Sequence, residues 1–125
     1  REILASKATE LSLALVATGF GYTVERREEQ SEVVRQLIPR VRDIRRMGAA
    51  AVDLCNLAAD RLDAYYERGL QPWDYAAGVL IAREAGARIL ALSDEELPGE
   101  AMLIAGPPAL ATKLRTAILD AYSSL

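Results

Sequence analysis

The 125-residue sequence contains no histidine, which excludes Ser-His-Asp and Cys-His nucleophilic sites, histidine-ligated zinc and histidine acid-base chemistry. Its single cysteine, Cys55, cannot close an internal disulfide, which suits a reducing compartment and points to the cytoplasm. An excess of positive charge is also lacking. Fifteen Lys and Arg stand against 18 Asp and Glu, giving a formal charge of −3 and an isoelectric point near 5.0, which argues against a general nucleic-acid binder. No apolar run approaches the length of a membrane span, and the opening Arg1-Glu2-Ile3-Leu4-Ala5-Ser6 does not read as a signal peptide. Carboxylates are left to carry any chemistry, and their oxygens suit hard cations such as magnesium better than soft metals.

What is present is enough for one globular domain, since half the residues are hydrophobic and about a quarter charged. A chain of this size buries roughly two-thirds of its unfolded surface and needs no staple. The run Leu11 to Thr18, closed by Gly19-Phe20-Gly21, reads as a buried strand and turn. From Glu25 to Arg46, Val33, Val34, Leu37, Ile38, Val41 and Ile44 fall at helical spacing, with Pro39 predicting a kink or a break. An alanine-rich helix follows Gly48 to about Ala59, then a short strand Leu62 to Tyr66, in which alternation lets only one of Tyr65 and Tyr66 face a core. A helix over Trp73 to Glu84 begins after Pro72 and stops at Gly86. Strands are expected over Ala87 to Leu92 and Ala101 to Ala105, separated by an acidic turn, and Gly106-Pro107-Pro108 opens a last helix to about Tyr122. Strands alternating with helices predict a single α/β domain over 1–125, a layered sheet with helices on both faces, without internal repeat or linker.

Three features could converge. Gly48 with Ala49, Ala50 and Ala51 exposes backbone N–H groups at a helix start, a seat for an anion, although close packing of an alanine-rich helix explains the same run. Glu67 leaves the C-terminal end of a strand, where open α/β sheets bind ligands, and it could equally be a solvated strand end paired with Arg68. Asp74 opens a helix, as a ligand or as a cap. Cys55 reads as a small buried side chain and Trp73 as a packing anchor for its loop.

Pro72-Trp73-Asp74-Tyr75-Ala76-Ala77-Gly78, Gly48-Ala49-Ala50-Ala51-Val52-Asp53-Leu54 and Leu15-Val16-Ala17-Thr18-Gly19-Phe20 together resemble segments of the inositol monophosphatase family, over nearly the whole chain. The resemblance implies the C-terminal domain of the inositol monophosphatase and fructose-bisphosphatase-like sugar phosphatase fold. It also implies a phosphatase in which two or three Mg2+ ions clamp the phosphate of a small phosphorylated polyol while an activated water attacks phosphorus in line. Asp74 then matches a carboxylate ligand to a metal, Glu67 a group holding substrate hydroxyls and Arg45 a substrate-contacting arginine. Gly48, Ala49 and Ala50 match backbone contacts to the ring. Family members often form homodimers.

The family's other metal motifs, a glutamate segment and an Asp-Pro-x-Asp-Gly-Thr stretch, are not found here, so the metal-binding half is expected to lie upstream and the chain alone to be inactive. Ala49 stands where relatives carry serine or threonine, which leaves the substrate open among inositol 1-phosphate, fructose bisphosphate, a nucleotide 3′-phosphate and histidinol phosphate. The Leu90 to Asp94 stretch lacks the family's aspartate-glycine turn. A non-catalytic interaction module is the alternative from another class. Its motive is the arginine-rich helix, whose interleaved glutamates also fit a solvated face.

Overall fold

The structure, a computed structural model, describes residues 3–125; Arg1 and Glu2, from the stretch read for leader character, lie outside the described residues. In chain order the elements are β1 (Leu15–Thr18), α1 (Val24–Leu37), β2 (Asp43–Arg45), α2 (Ala50–Ala58), β3 (Ala64–Glu67), α3 (Pro72–Glu84), β4 (Arg88–Leu90), β5 (Leu103–Gly106) and α4 (Pro108–Ser123). Short 3₁₀ turns occupy Leu11–Leu13 and Ile38–Arg40. The five strands form one sheet in the order β2-β1-β3-β5-β4. β2, β1 and β3 run parallel, and β5 is antiparallel to both β3 and β4.

Side chains alternate across the sheet, and each face meets its own helices. Ala17, Tyr65, Leu103, Ala105 and Ile89 pack with Leu54 and Leu57 of α2 and Val79 and Ala82 of α3. Val16, Ala64, Tyr66, Ile104 and Leu90 meet Val33 and Leu37 of α1 and Leu110, Leu114 and Ile118 of α4 on the other side. Helices thus cover both faces of the sheet. Because both faces are covered, Tyr65 and Tyr66 are both buried, at 0% and 5% exposure, against the expectation that one would face outward.

Local chemistry sets the helix bounds. Thr23 Oγ1 accepts the Arg26 N–H at 3.2 Å to start α1. Pro72 and Pro108 begin α3 and α4, where a missing N–H is harmless. Gly86, at φ +98, lets Ala87 N–H return to Ala82 O at 3.0 Å and end α3. The helix expected over Glu25 to Arg46 is broken: α1 stops at Leu37, Pro39 sits in a 3₁₀ turn, and Asp43–Arg45 is an edge strand paired with β1. The strand expected from Leu11 begins only at Leu15, after the first 3₁₀ turn. Cys55 is exposed, because the buried stripe of α2 is Ala50, Asp53, Leu54, Leu57 and Ala58 and Cys55 falls off it. Among the described residues no helix is long and apolar enough to cross a membrane.

Candidate functional site

Since β2, β1 and β3 run parallel, their C-terminal ends share one edge of the sheet, where open α/β sheets bind ligands. The segments leaving these strands enclose a cleft of about 630 Å³. Gly19 comes from the β1 end, Arg46 and the Gly48 to Ala51 turn from the β2 end, and Glu67 and Asp74 from the β3 end. Gln30 of α1, itself buried, ties two of these segments together: its Oε1 accepts Gly21 N–H at 2.7 Å and its Nε2 donates to Arg68 O at 3.4 Å.

Gly48, at φ +84, makes the turn into α2, a conformation that favours glycine. The N-cap of α2 is Ala49, which has no side chain to cap the helix, so the first-turn N–H groups are free of a side-chain acceptor beside the cleft. Gly19 is small for a different reason, since a Cβ there would overlap the Glu67 carboxylate. Glu67 is oriented from its own strand: Tyr65, two residues earlier and on the same face, donates its hydroxyl to Glu67 Oε1 at 2.6 Å. The Glu67 carboxyl is raised overall: burial dominates and the nearby Asp74 adds to it, outweighing the Tyr65 hydrogen bond and Arg46, which lower it. The pairing with Arg68 open to Glu67 does not form, because Arg68 is engaged with Glu29 of α1.

Asp74 serves the helix start, as its Oδ2 accepts Gln71 N–H at 2.9 Å. Its Oδ1 takes no hydrogen bond among the described residues, and Asp74 lines the cleft, so capping and ligation can be carried by different oxygens. Carboxylate oxygen suits Mg2+, but no group of three or more potential ligands gathers among the described residues. A carboxylate here could ligate only as one member of a set completed by other donors.

Of the residues singled out from sequence, Gly48, Ala49, Ala50, Glu67 and Asp74 line the cleft together. Arg45 does not; it points along the edge strand, with its Nη1 2.7 Å from Asp43 Oδ2. Its neighbour Arg46 lines the cleft instead and lies over Phe20 at 5.9 Å from the ring centroid. Strand alternation after Asp43 carries that difference, and it was illegible while the segment read as helix. Trp73 is 81% exposed on the cleft rim and anchors nothing, since Pro72 and Asp74 fix the helix start without it. Asp53 is a buried carboxylate on α2 that no sequence motif singles out. It is 1% exposed, burial with the nearby Glu67 charge pushes its carboxyl up to about 6, and neither of its oxygens has a hydrogen-bond partner among the described residues. Its signal was its place at i+3 from Ala50, on the buried stripe of α2.

Compared with known proteins, residues 1–123 match the inositol monophosphatase family. The chain is 52% identical over 109 residues to the inositol-1-monophosphatase SuhB of Mycobacterium tuberculosis, covering 87% of this chain and 38% of that protein. It is 48% identical over 79 residues to the Nus factor SuhB of Vibrio cholerae, covering 62% and 30%. The solved structure of Mycobacterium tuberculosis SuhB superposes with a TM-score of 0.84 at 49% identity, over 95% of this chain and 46% of that one. The chain thus spans less than half the length of these relatives.

Proposed function

The chain belongs to the inositol monophosphatase family, and from that premise we propose that the protein is a Mg2+-dependent phosphatase of small polyol phosphates, with inositol 1-phosphate the first substrate to test. The observation that carries this reading is the cleft at the C-terminal edge of the parallel strands, in which Glu67, Asp74 and the uncapped α2 start face one space. Each part has a task. Asp74 Oδ1 would hold the metal while Oδ2 keeps the helix start in place. Bound Mg2+ supplies charge neutralisation on the phosphate and lowers the pKa of the attacking water. Glu67, fixed by Tyr65, accepts hydrogen bonds from hydroxyls of the polyol, and the N–H groups after Gly48 donate to hydroxyl oxygens borne on its ring. Arg46, at the cleft wall, adds positive charge that favours an anionic substrate.

The remaining metal ligands belong, on this proposal, to the part of the family fold that these residues do not span, so the chain alone would be inactive. A cytoplasmic, homodimeric enzyme is the accompanying expectation. Hydrolysis of a panel of phosphate monoesters by the full-length protein, compared by kcat/KM with and without Mg2+, tests the proposal; the absence of Mg2+-dependent release from every polyol phosphate would refute it.

A second reading, an interaction module, is favoured by the relative named a Nus factor in Vibrio cholerae. On this reading the exposed, charge-interleaved face of α1 is the contact surface. Binding of RNA or protein that charge reversals at Glu28 and Glu32 leave untouched would dispose of it.

A further inference from the structure

Arg26 of α1 and Arg46 after β2 both line the cleft, and three consecutive residues after β1 fix where they stand relative to Glu67. A Cβ on Gly19 would overlap the Glu67 carboxylate, the Arg46 guanidinium lies 5.9 Å from the Phe20 ring centroid, and a Cβ on Gly21 would stand 2.7 Å from Arg26 Cγ. Glu67, Arg46 and Arg26 thus follow one another along the Gly19-Phe20-Gly21 turn. Two further glycines let the guanidiniums lie close to the backbone: a Cβ on Gly48 would be 3.3 Å from Arg46 Nη1, and one on Gly69 2.9 Å from Arg26 Nη1. Neither cation is fully engaged within the protein. Arg46 has its contact with Phe20 but no ion pair or side-chain hydrogen bond among the described residues. Arg26 has Glu29 at 3.7 Å from its Nε, and that carboxylate is already engaged with Arg68, a third arginine of the cleft. Nor does Arg26 serve its helix, since it sits in the first turn of α1, where the helix dipole disfavours a cation.

We propose that Arg26 and Arg46 form a second anion subsite in the cleft, so that the preferred substrate carries another phosphate besides the one that is hydrolysed. Guanidinium recognises phosphate through paired N–H donors, and an arginine held over an aromatic ring or against a glycine backbone has less freedom to lose when the anion arrives. The Gly19-Phe20-Gly21 turn sets these donors beside Glu67, which on the phosphatase reading holds hydroxyls of the polyol. A second phosphate on the same polyol would meet them while the first is held at the metal. The substrate class that follows is a polyol or sugar bisphosphate in preference to a monophosphate. Which phosphate is hydrolysed rests on the phosphatase reading; the anion subsite itself does not.

Binding and turnover are measured separately on the full-length protein. In the first arm, fructose 1,6-bisphosphate is titrated by calorimetry into protein freed of Mg2+. Arg26→Gln and Arg46→Gln are each expected to weaken binding about 10-fold or more, the scale of a hydrogen bond to a charged group. Arg27→Gln, which removes the same charge from the other contact on Phe20, 5.6 Å from the ring centroid and outside the cleft lining, is expected to weaken it far less. No binding by the wild type, no loss in the two cleft variants, or an equal loss in Arg27→Gln overturns the subsite. In the second arm, kcat/KM with Mg2+ is compared between fructose 1,6-bisphosphate and fructose 1-phosphate, and between inositol 1,4-bisphosphate and inositol 1-phosphate. At least one bisphosphate is expected to be favoured about 10-fold or more, and both cleft variants to bring that ratio close to one. Ratios near one in the wild type overturn the substrate class, as does a ratio that the variants leave unmoved, which would mean that the arginines hold the hydrolysed phosphate. Absent turnover of all four compounds, with the first arm as expected, would sink the phosphatase reading and leave the subsite standing.

Discussion

At Asp53 the cost of burial can be read directly as a dependence of stability on pH. Its folded-state pKa, about 6, lies above the value of about 3.9 for an unfolded aspartate, so between these two the folded chain binds more protons than the unfolded one. Stability from this group is therefore greatest below about pH 4 and declines as pH rises toward 6, after which the deficit is constant. Asp53→Asn removes that dependence. Relative to wild type, the variant is expected to gain ~2–3 kcal/mol between pH 4 and 7 in urea denaturation, a gain set by the two-unit shift; equal pH slopes in the two proteins would contradict it. The residue was visible in the sequence only as part of an alanine-rich segment. Nothing in one sequence says that Glu67, fourteen positions on, lies close enough to act on it.

Between elements, the contact of α2 with α3 determines how their two N-termini are held at the cleft. Gly78 lets α3 pack directly on Leu54 of α2: a Cβ there would stand 2.8 Å from Leu54 Cβ and Cδ1. Gly78→Ala should thus destabilise the fold by about 1–3 kcal/mol, as overpacking does, and a midpoint unchanged in chemical denaturation would show that the helices can part without loss. At Gly48 the strain is in the backbone, since φ is +84, and Gly48→Ala is expected to cost about 1–2 kcal/mol and to weaken substrate binding by shifting the α2 start, read as a higher KM in the full-length protein. α2, α3 and α4 were legible because Gly48, Pro72, Gly86 and Pro108 mark their bounds, and the inner strands because they are short apolar runs. β2 was not. It is a three-residue edge strand, Asp-Ile-Arg, with only Ile44 partly buried, and Val41 and Ile44 happen to continue the helical spacing of α1. Only its pairing with β1, nearly thirty residues upstream, makes it a strand, and that pairing also decides that Arg46 lines the cleft in place of Arg45.

Across the whole molecule, the parallel strands explain why residues far apart in sequence share one cleft. Three strand ends on one edge bring Gly19, the Gly48 turn and Glu67 with Asp74 together, and the family resemblance of these segments follows that geometry. The layered fold was legible in the alternation of strands and helices, but the strand order, with β5 inserted between β3 and β4, depends on pairings that no local pattern encodes. Val52 on α2 and Leu80 and Ile81 on α3 are exposed hydrophobics, at 46%, 61% and 42%. The chain on its own is accordingly expected to associate as its concentration rises, and light scattering that showed a monomer throughout, or association unaffected by Leu80→Lys, would count against this.

The role of Asp74 is tested most directly by Mg2+-dependent phosphate release from inositol 1-phosphate by the full-length protein and its Asp74→Asn variant, with thermal stability measured alongside. The asparagine can still accept the Gln71 N–H, so the melting temperature should hold within a few degrees while kcat/KM falls at least ~100-fold through the lost metal ligand. Undiminished turnover at unchanged stability would mean that Asp74 is a helix cap alone.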